Sequence, residues 1–265
     1  MNTVSYEQNL AGNENSDVLN SVYLDHHSVS ANHRKRIRIW FWIGAALVFL
    51  MLVVGGITRL TQSGLSMVDW RPIMGSIPPI TETEWQDTFE QYKQYPEYQK
   101  LNRGMSLSEF KFIFFWEYIH RMLGRLIGIV FLVPYLFFAL KGYFDRRLHR
   151  KALILFGLGA LQGIMGWIMV KSGLVDVPYV SHYRLGAHLI LAFIIIAYCI
   201  WFARDLAVKR PKRKVEIYPH RILHKVLIIF GVILGVQIIW GAFTAGLKAG
   251  HMFQTFPLME GSWVP

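Results

Sequence analysis

The chain has 265 residues, 53% of them apolar, and 28 Lys and Arg against 17 Asp and Glu give it a formal charge of +11. Its positive mean hydropathy and long uncharged runs exceed what a soluble domain of this size needs to bury, so it reads as a polytopic membrane protein. The basic excess gathers in short segments between apolar runs, a topology signal that argues against a nucleic-acid face, and the single cysteine, Cys199, excludes a disulfide framework, a CxxC redox pair and a cysteine metal site.

Residues 1–38 form a polar tail that holds Glu7, Glu14, Asp17 and Asp25. Such acids suit neither a secretory signal nor an acid-poor organelle transit peptide, so the tail is expected to be a disordered cytoplasmic lead in a bacterial cell inner membrane protein. A bilayer core about 30 Å thick takes about 20 apolar helical residues. Five segments qualify as helices: Ile39 to Thr58, Ile113 to Leu140, Ala152 to Val170, Leu185 to Ala203 and Val226 to Ala245. Arg34, Lys35, Arg36 and Arg38 precede the first, Arg146, Arg147, Arg150 and Lys151 the third, and a basic loop over 204–225 the fifth. Positive charge stays on the cytoplasmic side, which puts these segments and the amino terminus inside.

The long loop 59–112 then lies outside. Within it, TETEWQDTFEQYKQY carries Trp85, Phe89 and Tyr92 at i, i+4, i+7 behind a T-x-x-E cap at Thr81, which predicts a surface helix lying on the membrane as a lid or packing element. A second cap, Ser106-x-x-Glu109, starts a helix predicted to run to Lys141, long enough to protrude from the outer face, with a kink expected at Pro134.

The second span opens with FFWEYIHRMLGR, which sets Glu117, His120, Arg121 and Arg125 among apolar neighbours. At about 100° per residue these groups share one arc of about 140° with Gly124 and Gly128. Ionisable groups inside a span point to the bundle interior and mark function, while glycines let something bulky lie against the backbone. On the fourth span, YRLGAHL sets His188 one turn after Arg184. His120 lies 21 residues before Lys141 and His188 lies 16 before Arg204, so both sit roughly 24 to 31 Å above the inner surface. Two imidazoles at one depth on separate helices, with no cysteine or second carboxylate nearby, fit the two axial positions of a haem iron better than zinc or a di-iron site. Each alone also reads as a hydrogen-bonded interior histidine. Arg121, Arg125 and Arg184 would pair with haem propionates. Glu117, one turn from His120, is either an acid that manages protons and water or the partner of Arg121 in a salt bridge. His220 and His224 read as a solvated pair in the basic loop, His26, His27, His33 and His149 as exposed, and His182 and His251 as outer-loop residues near the pocket entrance.

The segments GGITRLTQSGLSMVDWRPIMGSIPP from Gly55 and GAFTAGLKAGHMFQTFPLMEGSWVP from Gly241 align without gaps, pairing Gly55 with Gly241, Thr58 with Thr244, Gly64 with Gly250 and Pro79 with Pro265. Parallel duplication is a way to build membrane bundles. The expected architecture is therefore an all-α polytopic membrane protein: a four-helix transmembrane bundle over 39–203, and a fifth helix within 226–265 that begins a second, similar bundle.

With PEYQKLN, EFKFIFFWEYIHRMLGR, GWIMVKSGL and YRLGAHL in the same order, these blocks over residues 40 to 265 resemble the haem A synthases, in the variant shared by proteobacteria and mitochondria. The resemblance implies conversion of haem O to haem A, a ring methyl being oxidised to a formyl by successive hydroxylations with oxygen from water. It implies eight helices in two bundles, each with a histidine pair. His120 and His188 would be the pair that takes the substrate haem O, and Glu117 the important acid. A haem B cofactor would sit in the second bundle, whose histidine pair has no counterpart in this sequence. The partners implied are the substrate, the lipid bilayer, a haem O synthase and a second copy of the chain. The rival functions are a cytochrome b type electron-transfer subunit, which needs two histidines but no acid, and a haem carrier or assembly factor.

Overall fold

The computed structural model describes residues 30–68, 77–174, 179–207, 221–252, 255 and 258–263. Residues 1–29 of the expected tail and 208–220 of the basic loop lie outside the described residues. Seven α-helices occur among those described, in the order α1 (Ala31–Leu60), α2 (Glu82–Lys93), α3 (Pro96–Lys100), α4 (Leu107–Leu140), α5 (Arg146–Gly173), α6 (His182–Asp205) and α7 (Arg221–Leu247). Five of them, α1, α4, α5, α6 and α7, are long and apolar enough to cross a membrane. The protein is an all-α, multi-pass membrane protein.

Local chemistry sets the helix starts. Both predicted capping boxes form: Thr81 Oγ1 accepts from Glu84 N while Glu84 Oε2 accepts from Thr81 N, and Ser106 pairs with Glu109 in the same reciprocal way. Asp145 caps α5 by accepting from Leu148 N at 2.6 Å. Helix α4 runs as one element through Pro134 and stops at Gly142, whose φ of +66° lets Tyr143 N return to Phe138 O at 2.9 Å.

Helix α1 packs against both α4 and α6, and α5 packs against the same two, so α4 and α6 stand on one diagonal of a four-helix bundle and α1 and α5 on the other. Helix α7 lies against α6, outside this bundle. At the junction of α1 and α7 the repeat is visible in the backbone. Gln62 and Lys248, paired by the ungapped alignment, both take left-handed φ values, 54° and 56°, and Lys248 Nζ donates to Gln62 Oε1 at 3.0 Å. Arg59 Nη2 donates at 2.7 Å to the carbonyl of Ala245, its own repeat equivalent, satisfying an acceptor at the end of α7.

Two packed layers close the bundle at its ends. Near the starts of α1 and α5, Ile37, Trp40, Phe41 and Val48 interlock with Phe131, Phe138, Leu155, Ile195 and Cys199. Lys151 pairs there with Asp205 at 2.9 Å and lies over the Phe202 ring. At the other end α2 docks on the protruding first turns of α4, with Phe89 and Tyr92 stacked on Phe110 at centroid distances of 4.9 and 5.0 Å and Trp85 edge-on to Phe114. The aromatic stripe of α2 therefore faces α4, not a membrane surface. The reason is proximity: α4 carries Phe110 and Phe114 beyond the lipid-length part of its span, and protein aromatics there cover the stripe. Between the layers, residues 115–130 of α4, 156–172 of α5 and 182–190 of α6 contribute no buried member of either cluster.

Phe110 is fully buried at the centre of the aromatic layer, so Phe110→Ala is expected to cost about 3–5 kcal/mol. A lowered thermal midpoint in detergent, with protease cleavage appearing in the α2–α3 segment before the bundle unfolds, is the result that checks it.

Candidate functional site

The uncommitted stretch between the two layers is where the predicted residues meet. Glu117 of α4 is 2% exposed. Its Oε2 accepts from Ser66 Oγ at 2.7 Å and from Met67 N at 2.8 Å, and its Oε1 accepts from Arg121 Nε at 3.0 Å and Nη2 at 2.5 Å. Arg121 Nη2 also donates to Met67 O at 2.9 Å. The salt bridge that the sequence left as one of two readings is formed, and it is part of a larger clamp that ties the segment after α1 to α4. A buried ion pair survives when further hydrogen bonds satisfy its remaining atoms, as those of Ser66 and Met67 do.

One turn along α4 from Glu117, the His120 ring lies against Gly55 of α1, where an added Cβ would stand 3.3 Å from Nε2. Across the bundle the His188 ring lies against Gly166 of α5, an added Cβ there being 3.3 Å from Cε1. The histidines thus occupy one diagonal and the glycines that make room for them the other. Gln162, one turn before Gly166, donates its amide to the His188 carbonyl at 3.1 Å and approaches His188 Nε2 at 3.3 Å.

Among the described residues the buried side-chain atoms without a hydrogen-bond partner are Trp116 Nε1, Gln162 Oε1 and His188 Nδ1. Trp116 shares the His120 face of α4, at i, i+4, and its carbonyl accepts from Thr58 Oγ1 of α1 at 3.4 Å. Each orphan costs about 1–3 kcal/mol, and all three belong to residues around the histidines. Among the described residues no group of three or more His, Cys, Asp or Glu is arranged for a metal ion. Two imidazoles facing one interior, with polar atoms around them still to be satisfied, fit an iron porphyrin held axially.

The other predicted residues are placed less centrally. Arg125 is partly buried and donates to Met122 Sδ at 3.3 Å, and Arg184 is exposed at the start of α6. Gly124 is filled by Met51 of α1, whereas Gly128 borders open space. His182 packs edge-on to Phe243 and against Gly246 of α7, and His33 stacks on Tyr143. An apolar cavity of about 400 Å³, lined by Pro78, Trp85, Phe115, Tyr118 and Ile119, opens on the other face of α4 and contains none of the predicted residues.

Sequence reasoning missed Gln162 and Glu97. Glu97 of α3 is 5% exposed and accepts from Tyr92 OH at 3.1 Å, which in turn accepts from Asn102 Nδ2 at 2.7 Å. Burial, and secondarily the Glu117 carboxylate, push its carboxyl up to about 8, against the pull of the Tyr92 hydroxyl and Lys248. No spacing rule marks an acid in a five-residue helix, and its only signal was its place in PEYQKLN.

The fold and the site define a membrane bundle with one histidine on each of two diagonally placed helices, α4 and α6. The profile of the cytochrome oxidase assembly protein family matches residues 38–265, and the chain belongs to that family. It is 50% identical over 233 residues to the Heme A synthase of Nitrosospira multiformis, covering 88% of this chain and 65% of that protein. Against the Heme A synthase of Flavobacterium psychrophilum it is 49% identical over 230 residues, 86% of this chain and 66% of the relative. Against that of Parvibaculum lavamentivorans it is 46% identical over 242 residues, 91% and 66%. The chain thus spans just under two thirds of the length of these relatives. No solved structure matches it.

Glu117→Ala is expected to leave Arg121 buried without a counter-ion and to release Ser66 and Met67, a loss of about 3–5 kcal/mol that thermal unfolding in detergent reads directly. A second expectation concerns pH. The Glu97 carboxyl titrates near 4.5 in an unfolded chain and near 8 in the fold, so the stability it contributes is full below about 4.5 and is lost as pH rises through about 8. Unfolding midpoints followed across that window should fall with pH, and Glu97→Gln should flatten the decline.

Proposed function

We propose that this protein is the haem-gripping part of a haem A synthase, an oxidoreductase that takes haem O as substrate and converts a ring methyl to a formyl. The single observation that carries the reading is the diagonal pair His120 and His188, each against a glycine, in the section of the bundle between the two packed layers. The overall change consumes one water and releases four electrons and four protons for each formyl group made. The bound haem supplies the redox-active iron; the protein supplies position, dryness and charge.

His120 and His188 hold the substrate iron from α4 and α6. Gly55 and Gly166 leave room for the edge of each ring against the neighbouring helix. The clamp built on Glu117 orders residues 63–67 as a roof, holds the Arg121 guanidinium against Glu117, one turn before it, and so excludes bulk water from that side. Glu117 acts as a fixed carboxylate that positions Arg121, the second of the two roles its spacing leaves open. Arg121 stays paired with Glu117, Arg125 sets positive charge beside the site, and Arg184 at the exposed rim meets the propionates. The protein sits in a bacterial inner membrane with its amino terminus in the cytoplasm, as the positive charge before α1, α5 and α7 favours. A haem O synthase is the partner that delivers the substrate, and a second copy of the chain is a further partner. Haem O takes the intramembrane histidine pair, which leaves the family's haem B to histidines other than this pair.

Membranes expressing the protein with haem O available, extracted and resolved by chromatography, are expected to contain haem A and a hydroxylated intermediate. Glu117→Gln is expected to retain haem O while forming at least about tenfold less haem A. A pigment profile that stays purely haem O with the unaltered protein would sink the reading in favour of a carrier.

A further inference from the structure

Gln162 makes two contacts that decide its orientation. Its amide nitrogen donates to the backbone carbonyl of His188 at 3.1 Å, so the same NH2 group faces His188 Nε2 at 3.3 Å. An amide NH2 only donates, so Nε2 accepts and the ring proton resides on Nδ1. That Nδ1–H is buried without an acceptor, and Gln162 Oε1 is buried without a donor. The two unmet atoms are chemically complementary and belong to the same pair of residues. Gly166, one turn further along α5, holds the Cε1 edge of the same ring. Helix α5 therefore meets two adjacent atoms of the His188 ring, Nε2 and Cε1, while leaving one donor and one acceptor unused.

We propose that Gln162 is the positioning residue of His188: its amide holds the imidazole ready in the haem-free protein, and its unused carbonyl oxygen is the acceptor for the ring N–H once Nε2 is engaged by iron. Histidines that bind a metal almost always donate the other ring N–H to a carbonyl or carboxylate, which sets ring orientation and ligand basicity. The placement of Gln162 one turn from the ring-packing glycine makes the side-chain amide that partner. The proposal rests on the assignment of His188 as a haem ligand.

The test is a titration of the purified, haem-free protein with ferric haem B, read by absorption spectroscopy for the low-spin state of two-histidine ligation and by redox titration. Partner groups of this kind change metal affinity by about 10–100-fold. Gln162→Leu is expected to bind haem at least about tenfold more weakly with a high-spin component. Gln162→Glu, which keeps an acceptor and adds charge, is expected to stay low-spin with a lowered midpoint potential. Equal or tighter low-spin binding by Gln162→Leu overturns the proposal, as the amide would then be idle or merely in the way. Should the leucine variant lose helical content, the glutamate variant decides alone, and an unchanged potential overturns it. His188→Ala separates the two levels: if it binds haem with the unaltered spectrum, the ligand assignment itself fails, whereas loss of the spectrum there with an unaffected Gln162→Leu removes only the role of Gln162.

Discussion

The interaction on which the rest depends is the carboxylate of Glu117 with its four hydrogen bonds. One side chain on α4 holds the hydroxyl of Ser66, the backbone N–H of Met67 and the guanidinium of Arg121. Without it the segment leaving α1 keeps only the Arg121 donor on the Met67 carbonyl and the apolar packing of Met67 to hold it to α4. A buried charge is costly to hold, and it persists where every lone pair is used. The same arrangement explains why an arginine is tolerated inside the span, since its charge is neutralised one turn away and a further donor reaches the Met67 carbonyl.

Below this clamp the bundle is divided by what packs and what does not. Aromatic residues fill the α2–α3 end and a mixed apolar cluster fills the opposite end. The middle is given to His120, His188, the two glycines beside them and three unsatisfied polar atoms. Buried polar atoms without partners are costly, and their gathering beside the two rings sets this section apart from the layers on either side. The diagonal order of the helices places both rings toward the same interior, and the i, i+4 spacing of Gln162 and Gly166 lets one face of α5 hold one ring.

Much of this was legible in the residues. The spans followed from apolar run length, both capping boxes from Thr81-x-x-Glu84 and Ser106-x-x-Glu109, and the shared face of Glu117, His120 and Arg121 from helical periodicity. The repeat was visible as paired glycines and a proline, and reappears as matching left-handed backbone at Gln62 and Lys248. What was not legible had no periodic signal. The stripe of Trp85, Phe89 and Tyr92 marks an apolar face equally well whether it meets lipid or protein. Glu97 looks like any surface acid until Tyr92, Asn102 and the α4 aromatics surround it. Gln162 sits among the apolar residues of its span as an ordinary polar interruption until α6 is laid beside it.

The amino-acid sequence by itself determined the helices, their caps and the membrane class, because each of these depends on neighbours within a few turns of one chain segment. Only the tertiary structure decided which helices share a diagonal, that Glu117 is committed to the 63–67 segment, and which side chain partners His188. Those are choices between contacts of similar energy made by residues 26 to 51 positions apart, and they are settled by how whole helices pack, a property that no local spacing encodes.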